Sequence, residues 1–195
     1  MKKKINGREL EFDTDPIFPN RWSPRAMSGE KIPKEELMSL FEAARWAPSS
    51  FNEQPWRFLY AMKGTAEWDL FFGLLFDANK EWCENAAALT VIISKRHFEL
   101  NGKINHTHSF DTGAAWENLA LQGSMKCLVV HGMAGFDYDG AKEALDIPDD
   151  FDIEVMAAIG KPGDIEMLSQ NLRERELPSD RKKAEEIAIE GKYKK

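Results

Sequence analysis

A single domain that mixes helices and strands is what this sequence predicts, and three observations carry the prediction. The 195 residues suffice for one sizeable hydrophobic core and fall short of two large ones. Hydrophobic residues make up 43% of the chain and charged residues 30%, the balance of an ordinary globular protein rather than a disordered or membrane-embedded one. Segments of helical periodicity also alternate with β-branched runs of strand length along most of the chain.

The same composition excludes several function classes. No apolar run approaches the roughly 20 residues of a spanning helix, and the basic start Met1-Lys2-Lys3-Lys4 leads into Ile5 to Leu10 without a signal-peptide apolar region, so a cytoplasmic location is expected. A formal net charge of −7 argues against nucleic acid as the main partner, because phosphate backbones select a basic face. Two cysteines, Cys83 and Cys127, fit buried reduced thiols better than a disulfide framework.

Residues 1–16 read as an N-terminal arm or short strand ending at Asp15-Pro16. Next comes Arg21-Trp22-Ser23-Pro24-Arg25, in which two guanidinium groups and a hydroxyl alternate along an extended segment. Arg presents a planar fork that matches phosphate oxygens and Ser adds a short third bond, so the stretch is a candidate phosphate holder; a solvated connection is the alternative for the stretch taken alone. A helix is predicted from Lys34 to Trp46, opened by Pro33, with Glu35 and Glu36 in its first turn and Leu37, Leu40, Phe41 and Ala44 on one face. It stops before Ala47-Pro48, since a residue preceding proline is biased out of helical geometry. The polar loop Pro48-Ser49-Ser50-Phe51-Asn52-Glu53-Gln54-Pro55 then runs into a strand from Trp56 to Met62.

Thr65 is the predicted N-cap of a helix through Leu75, whose Trp68, Phe71 and Phe72 read as core or interface packing. A short turn or helix from Asn79 ends near Ala88, and Leu89 to Ser94 is a β-branched run suited to a central strand. Residues 97–109 lack a clear period and read as a loop. They hold His97, His106 and His108, but no neighbouring residues complete the ligand spacing of a closed zinc site. A central helix is predicted from Phe110 to Met125, with Gly113, Ala114, Ala115 and Ala120 making part of its surface small enough for close approach. A strand from Cys127 to Val130 is expected to enter a glycine-marked turn over 131–137, followed by a helix from Asp137 to Leu145 and a last strand from Ile153 to Ile159.

Three nucleotide and hydrolase signatures fail. Gly135 and Gly140 have the spacing of a P-loop, but Ala141 stands where its lysine is required and Glu143 where Ser or Thr would follow. No Gly-x-Gly-x-x-Gly and no Gly-x-Ser-x-Gly is present.

The segment Arg21 to Arg25, the string Ala47 to Trp56 one helix later, the helix start Asp111 to Ala115, the turn Gly132 to Asp137 and the basic Arg181 together resemble the nitroreductase-like FMN-dependent oxidoreductase family. The resemblance covers most of the chain. It implies an α+β, nitroreductase-like fold: one domain over 1–195, a mixed and mainly antiparallel central sheet flanked by helices, an extended C-terminal segment over 164–195 exchanged onto the partner, and a homodimer. It also implies FMN at the subunit interface, with Arg21, Ser23 and Arg181 on the phosphate, Trp22 beside them and Arg25 at the pyrimidine edge. Pro48, Ser49, Ser50, Asn52 and Gln54 would reach the ring from the partner, Asn79 would contact it, and Met133, Ala134 and Gly135 would present backbone near N5.

The reaction so implied takes hydride from NAD(P)H onto flavin N5 and passes electrons to a nitroaromatic, quinone or similar flat acceptor by a ping-pong mechanism, with no catalytic side chain and no metal. The alternatives are a flavin-binding or flavin-delivering protein without turnover, or a flavin-dependent dehydrogenase acting on a specific metabolite. The chain departs from the family at two points. Ser179 stands where many relatives carry a second C-terminal basic residue, and Trp22 follows Arg21 where many carry a basic pair, so weaker phosphate affinity is expected.

Overall fold

The computed structural model describes residues 4–193. Its first element is a small hairpin, β1 (Lys4–Ile5) against β2 (Arg8–Glu9), turned by Asn6 and Gly7 at φ 51° and 76°. Asn-Gly suits a two-residue turn whose central residues both take positive φ. The short helix α1 (Ile17–Asn20) leads to the extended segment 21–26, and α2 (Lys34–Ala44) follows. Then come β3 (Trp56–Met62), α3 (Ala66–Gly73), α4 (Asp77–Cys83), β4 (Ala88–Lys95), α5 (His108–Met125), β5 (Val129–Met133), α6 (Tyr138–Ala144) and β6 (Phe151–Gly160).

The four long strands form one sheet in the order β3-β4-β6-β5, antiparallel in every pairing, with helices on both faces: an α+β arrangement. β4 lies inside, and seven of its eight residues are buried, so its sequence reads as a continuous apolar run without alternation. On one face Trp68 and Phe71 of α3, Cys83 of α4 and Ala141 of α6 pack with Leu89, Val91 and Met156. On the other, Leu37, Leu40 and Ala44 of α2 meet Ala115, Leu119 and Ala120 of α5 together with Ile159. Each fully buried leucine contributes roughly 1.5–3 kcal/mol by removal from water. The small residues expected to permit close approach on α5 therefore receive α2.

Two expectations need correction at the junction of α5 and β5. The strand does not begin at Cys127. Leu128 N–H donates to the Gly123 carbonyl and Cys127 N–H to that of Ser124, the paired bonds of a Schellman helix end, and Cys127 takes φ 56° in the position usually held by glycine. That places the Cys127 thiol in solvent, whereas Cys83 is buried and its thiol is pushed up by desolvation. The strand accordingly runs through His131, Gly132 and Met133, which were expected in a turn. Gly123 serves packing here: a Cβ on it would lie 2.4 Å from Val130 Cγ2.

The histidine-rich stretch is also more ordered than a loop. α5 begins at His108, whose Nδ1 lies 2.7 Å from Ser94 Oγ, and Ser94 in turn donates to Glu154 Oε1 at 2.5 Å. His97 Nδ1 bonds Asp150. These side chains knit β4, β6 and the start of α5 together; among the described residues no cluster of three or more metal-binding side chains forms. The C-terminal segment carries a 3-10 turn (Ile165–Met167) and two short helices, α7 (Gln170–Arg173) and α8 (Ala184–Ile187), with Leu168 and Leu172 in the core. Among the described residues no helix is long and apolar enough to cross a membrane.

Two outcomes are expected. A thiol reagent should label Cys127 in the native protein and Cys83 only after unfolding, as followed by absorbance of the released chromophore, because reaction requires an accessible thiolate. Gly123→Ala should cost about 1–3 kcal/mol in denaturant unfolding through overpacking, and Val130→Ala in the same chain should recover part of that loss.

Candidate cofactor site

The alternation of Arg21, Ser23 and Arg25 survives folding as a real geometry. The segment leaves α1 in extended conformation, its side chains half-buried, and the Arg21 guanidinium reaches Ser23 Oγ at 3.4 Å. Its neighbours come from three distant parts of the chain. A cavity of about 300 Å³ is lined by Arg8, Arg21, Trp22, Ser23, Arg25, His131, Arg175, Leu177, Ser179 and Arg181. Five guanidinium groups therefore share one small polar space.

The C-terminal segment is held against residues 21–26 by a buried carboxylate. Glu176, only 6% exposed, accepts from the backbone N–H of Arg25 at 2.5 Å and of Ala26 at 2.8 Å, and its second oxygen pairs with the Arg25 guanidinium at 3.5 Å. This clasp brings Arg175 and Arg181 to the same wall as Arg21. Arg21 also pairs with Glu117 at 3.6 Å. Glu117 and Glu176 pair with Arg21 and Arg25, and no carboxylate is among the described residues that line the cavity, so its wall is net positive. A phosphate monoester carries about −1.5 to −2 near pH 7. The donor set fits such a group.

His131, on β5, forms the floor. Its Nδ1 lies 2.9 Å from the Pro24 carbonyl, which only accepts, so Nδ1 carries the proton. Burial holds the imidazole below its ordinary pKa, and the Arg25 charge adds to the effect, against smaller opposition from the Pro24 bond and Glu176. Beyond His131 the sites named from the sequence continue along β5. Trp82 packs on the imidazole with centroids 4.5 Å apart and donates to Asn79 Oδ1 at 3.3 Å; Asn79 Nδ2 donates to the Gly135 carbonyl at 2.9 Å. Asn79 thus braces the turn after β5, and a Cβ on Gly135 would lie 2.6 Å from its amide nitrogen. Met133 is buried against Cys83 and offers only its backbone, while Ala134 is exposed.

The loop after α2 lies elsewhere. Ser49 Oγ accepts from Gln54 N–H, Gln54 Nε2 donates to the Asn52 carbonyl, and Ser50 N–H donates to the Asp111 carboxylate on α5. Phe51, Asn52 and Gln54 all adopt left-handed φ, at 52°, 58° and 53°. For Phe and Gln that conformation costs on the order of 1–2 kcal/mol each. Phe51 is 92% exposed and meets only the edge of Phe98 at 5.8 Å among the aromatic rings. Pro48 is exposed at the loop's start. The loop enters β3 at Trp56, which is in register with Ser94 and, through it, Asp152, whereas His131 is in register with Ala158. Six residues along the sheet and three strand spacings across it separate them, about 20 Å by about 14 Å. Within one chain the base of the loop and the cavity floor are therefore far apart, while Ser50 and Arg21 bond Asp111 and Glu117, six residues apart on α5.

Sequence reasoning missed Arg8, Arg175, Glu176 and His131 in this site. The Asn6-Gly7 turn signal would have flagged the hairpin that carries Arg8; nothing local marks the other three, which are placed by tertiary contacts.

The comparisons with known proteins follow this geometry. Residues 19–67 match the model of the Nitroreductase family, a span that holds both the Arg21 segment and the 48–54 loop. An oxygen-insensitive NADPH nitroreductase from Helicobacter acinonychis is 38% identical over 66 residues, a match that spans 34% of this chain and only 30% of that protein. A solved oxidoreductase containing FMN is 44% identical, with 98% of each chain covered and a TM-score of 0.95. A nitroreductase family protein from Clostridium difficile, 20% identical over 91% of this chain and 97% of its own, superposes with a TM-score of 0.68 and shares the fold.

Two measurements check the clasp and the floor. Glu176→Ala should destabilise the protein by about 3 kcal/mol, because it strips a buried carboxylate from a paired cation and two backbone donors, and should expose residues 170–187 to limited proteolysis. In the apo-protein, the unfolded chain protonates His131 near pH 6.5 and the folded chain only below that. The stability it contributes is thus present above pH 6.5 and lost as pH falls toward the lowered folded value. Replacing His131 by Gln should flatten that limb of the stability–pH curve.

Proposed function

The chain belongs to the nitroreductase family, and we propose that it binds FMN in the cationic cavity and along β5 and works as an NAD(P)H-linked oxidoreductase. The observation that carries this reading is the convergence of Arg21, Ser23, Arg25 and Arg181, 160 residues apart in sequence at their extremes, on one cavity whose positive wall suits a phosphate monoester. The 44% identical structure is described as containing FMN, which supports the cofactor assignment. The NADPH in the Helicobacter protein's name supports the donor.

In this reading Arg21, Ser23 and Arg181 hold the phosphate through charge-assisted bonds. Trp22 borders them. Arg25, steered by Glu176, faces the electron-rich edge of the flavin. A fixed cation there stabilises the reduced, more negative ring and raises its potential. The neutral His131 turns its proton to Pro24 and adds no further positive charge. Asn79 and Gly135 set the turn whose backbone, with Met133 and Ala134, borders the reacting edge. Bound FMN would supply the redox chemistry, taking hydride from NAD(P)H and passing electrons to a nitroaromatic, quinone or similar flat acceptor in a separate half-reaction.

Pro48, Ser49, Ser50, Asn52 and Gln54 take part only if they come from a second copy, since about 20 Å of sheet separates them from the cavity of their own chain. A homodimer with a site built from both subunits accounts for the strained, exposed loop.

Purified protein should show the flavin absorbance band and bleach with NADPH or NADH under anaerobic conditions. A protein that stays colourless after incubation with excess FMN overturns the assignment, and a yellow protein that neither nicotinamide reduces points to flavin binding without turnover. Light scattering should find a dimer whenever flavin is bound. A fully loaded monomer removes the 48–54 loop from the site.

A further inference from the structure

The N-terminal hairpin carries a cation that the family motif does not contain. Arg8 follows the Asn6-Gly7 turn and is 7% exposed, yet it lines the same cavity as Arg21 and Arg181. Three carbonyls hold its guanidinium in place. Nε donates to Ser179 at 2.9 Å, and Nη1 donates to Pro19 at 2.7 Å and to Arg21 at 3.0 Å. Nη2 has no protein acceptor among the described residues. The Ser179 carbonyl also accepts from Arg181 Nη1 at 3.1 Å, so one oxygen binds two guanidinium groups together.

No carboxylate pairs with Arg8 among the described ion pairs. Burial lowers its pKa, and the charges of Arg181 and Arg21 lower it further, with Asp180 opposing. A cation held in place beside two others at a cavity wall favours an anion in that cavity. The Ser179 carbonyl is the acceptor that docks Arg8 onto the C-terminal segment.

Resting on the FMN reading, we propose that Arg8 is a phosphate-binding residue of this protein: its Nη2 contacts the flavin phosphate while its other nitrogens hold the backbone carbonyls of Pro19, Arg21 and Ser179 around it. The N-terminal arm is then part of the cofactor site.

FMN and riboflavin differ only in the phosphate, and their affinities for apo-protein can be compared by quenching of flavin fluorescence. Arg8→Met should raise the Kd for FMN about tenfold to a hundredfold, the loss of one hydrogen bond to a charged group, and leave the Kd for riboflavin within about twofold. Equal weakening of both ligands would show that Arg8 only braces the fold, and unchanged FMN affinity would overturn the proposal outright. Arg21→Met runs beside it: if that variant also binds FMN normally, the flavin-phosphate reading itself fails, whereas loss with Arg21→Met alone removes only Arg8. Should Arg8→Met not fold, the wild-type apo-protein decides. The guanidinium Nε resonance of Arg8, assigned through Arg8→Lys, should shift on titration with inorganic phosphate and not with chloride at equal ionic strength, and a resonance that stays in place overturns the proposal.

Discussion

A buried carboxylate in the C-terminal segment is the contact on which the arrangement of charge depends. Glu176 gives one oxygen to two backbone donors at Arg25 and Ala26 and the other to the Arg25 guanidinium. Leu172 in the core, the Ser179 carbonyl bonded by Arg8 and the Ala184 N–H bonded to Glu11 also hold the segment on the body of the protein, against the like charges of Arg21, Arg25, Arg175 and Arg181. Desolvating Glu176 is costly, and three partners offset that cost. The result is a concentration of cations that folding alone does not neutralise.

The sheet supplies the second constraint, distance. β5 carries the cavity floor at one edge, and β3 begins with the polar loop at the other edge and the far end. Strand pairing makes that separation rigid. It holds the base of the loop at Trp56 well away from the cavity floor at His131. The loop is correspondingly prepared in advance: Asp111 on α5 fixes Ser50, and Ser49 closes the turn on Gln54, holding three non-glycine residues at positive φ. Backbone strain of this kind persists where surrounding bonds over-determine it.

Between the cavity and the turn after β5 runs a continuous line of contacts, from Pro24 through His131 and Trp82 to Asn79 and Gly135. The Pro24 carbonyl sets the imidazole tautomer, Trp82 packs on that ring, and its bond to Asn79 with the Gly135 carbonyl sets the orientation of the Asn79 amide.

The sequence by itself determined what is local. Periodicity and proline placement located α2, β3 and the central strand β4 within a residue or two, and the alternation Arg21-Ser23-Arg25 marked an anion site because those side chains share one side of an extended segment whatever surrounds them. Tertiary structure decided whatever depends on residues meeting from afar. Cys127 is exposed because it closes a helix in left-handed conformation, which its small apolar side chain does not signal. Arg8 belongs to the cavity because a two-residue hairpin turns it toward Pro19 and Ser179, and Glu176 is a clasp because Arg25 happens to be opposite. A charged residue reads the same in sequence on a solvated face and in a buried ion pair; only the partner across the gap distinguishes them.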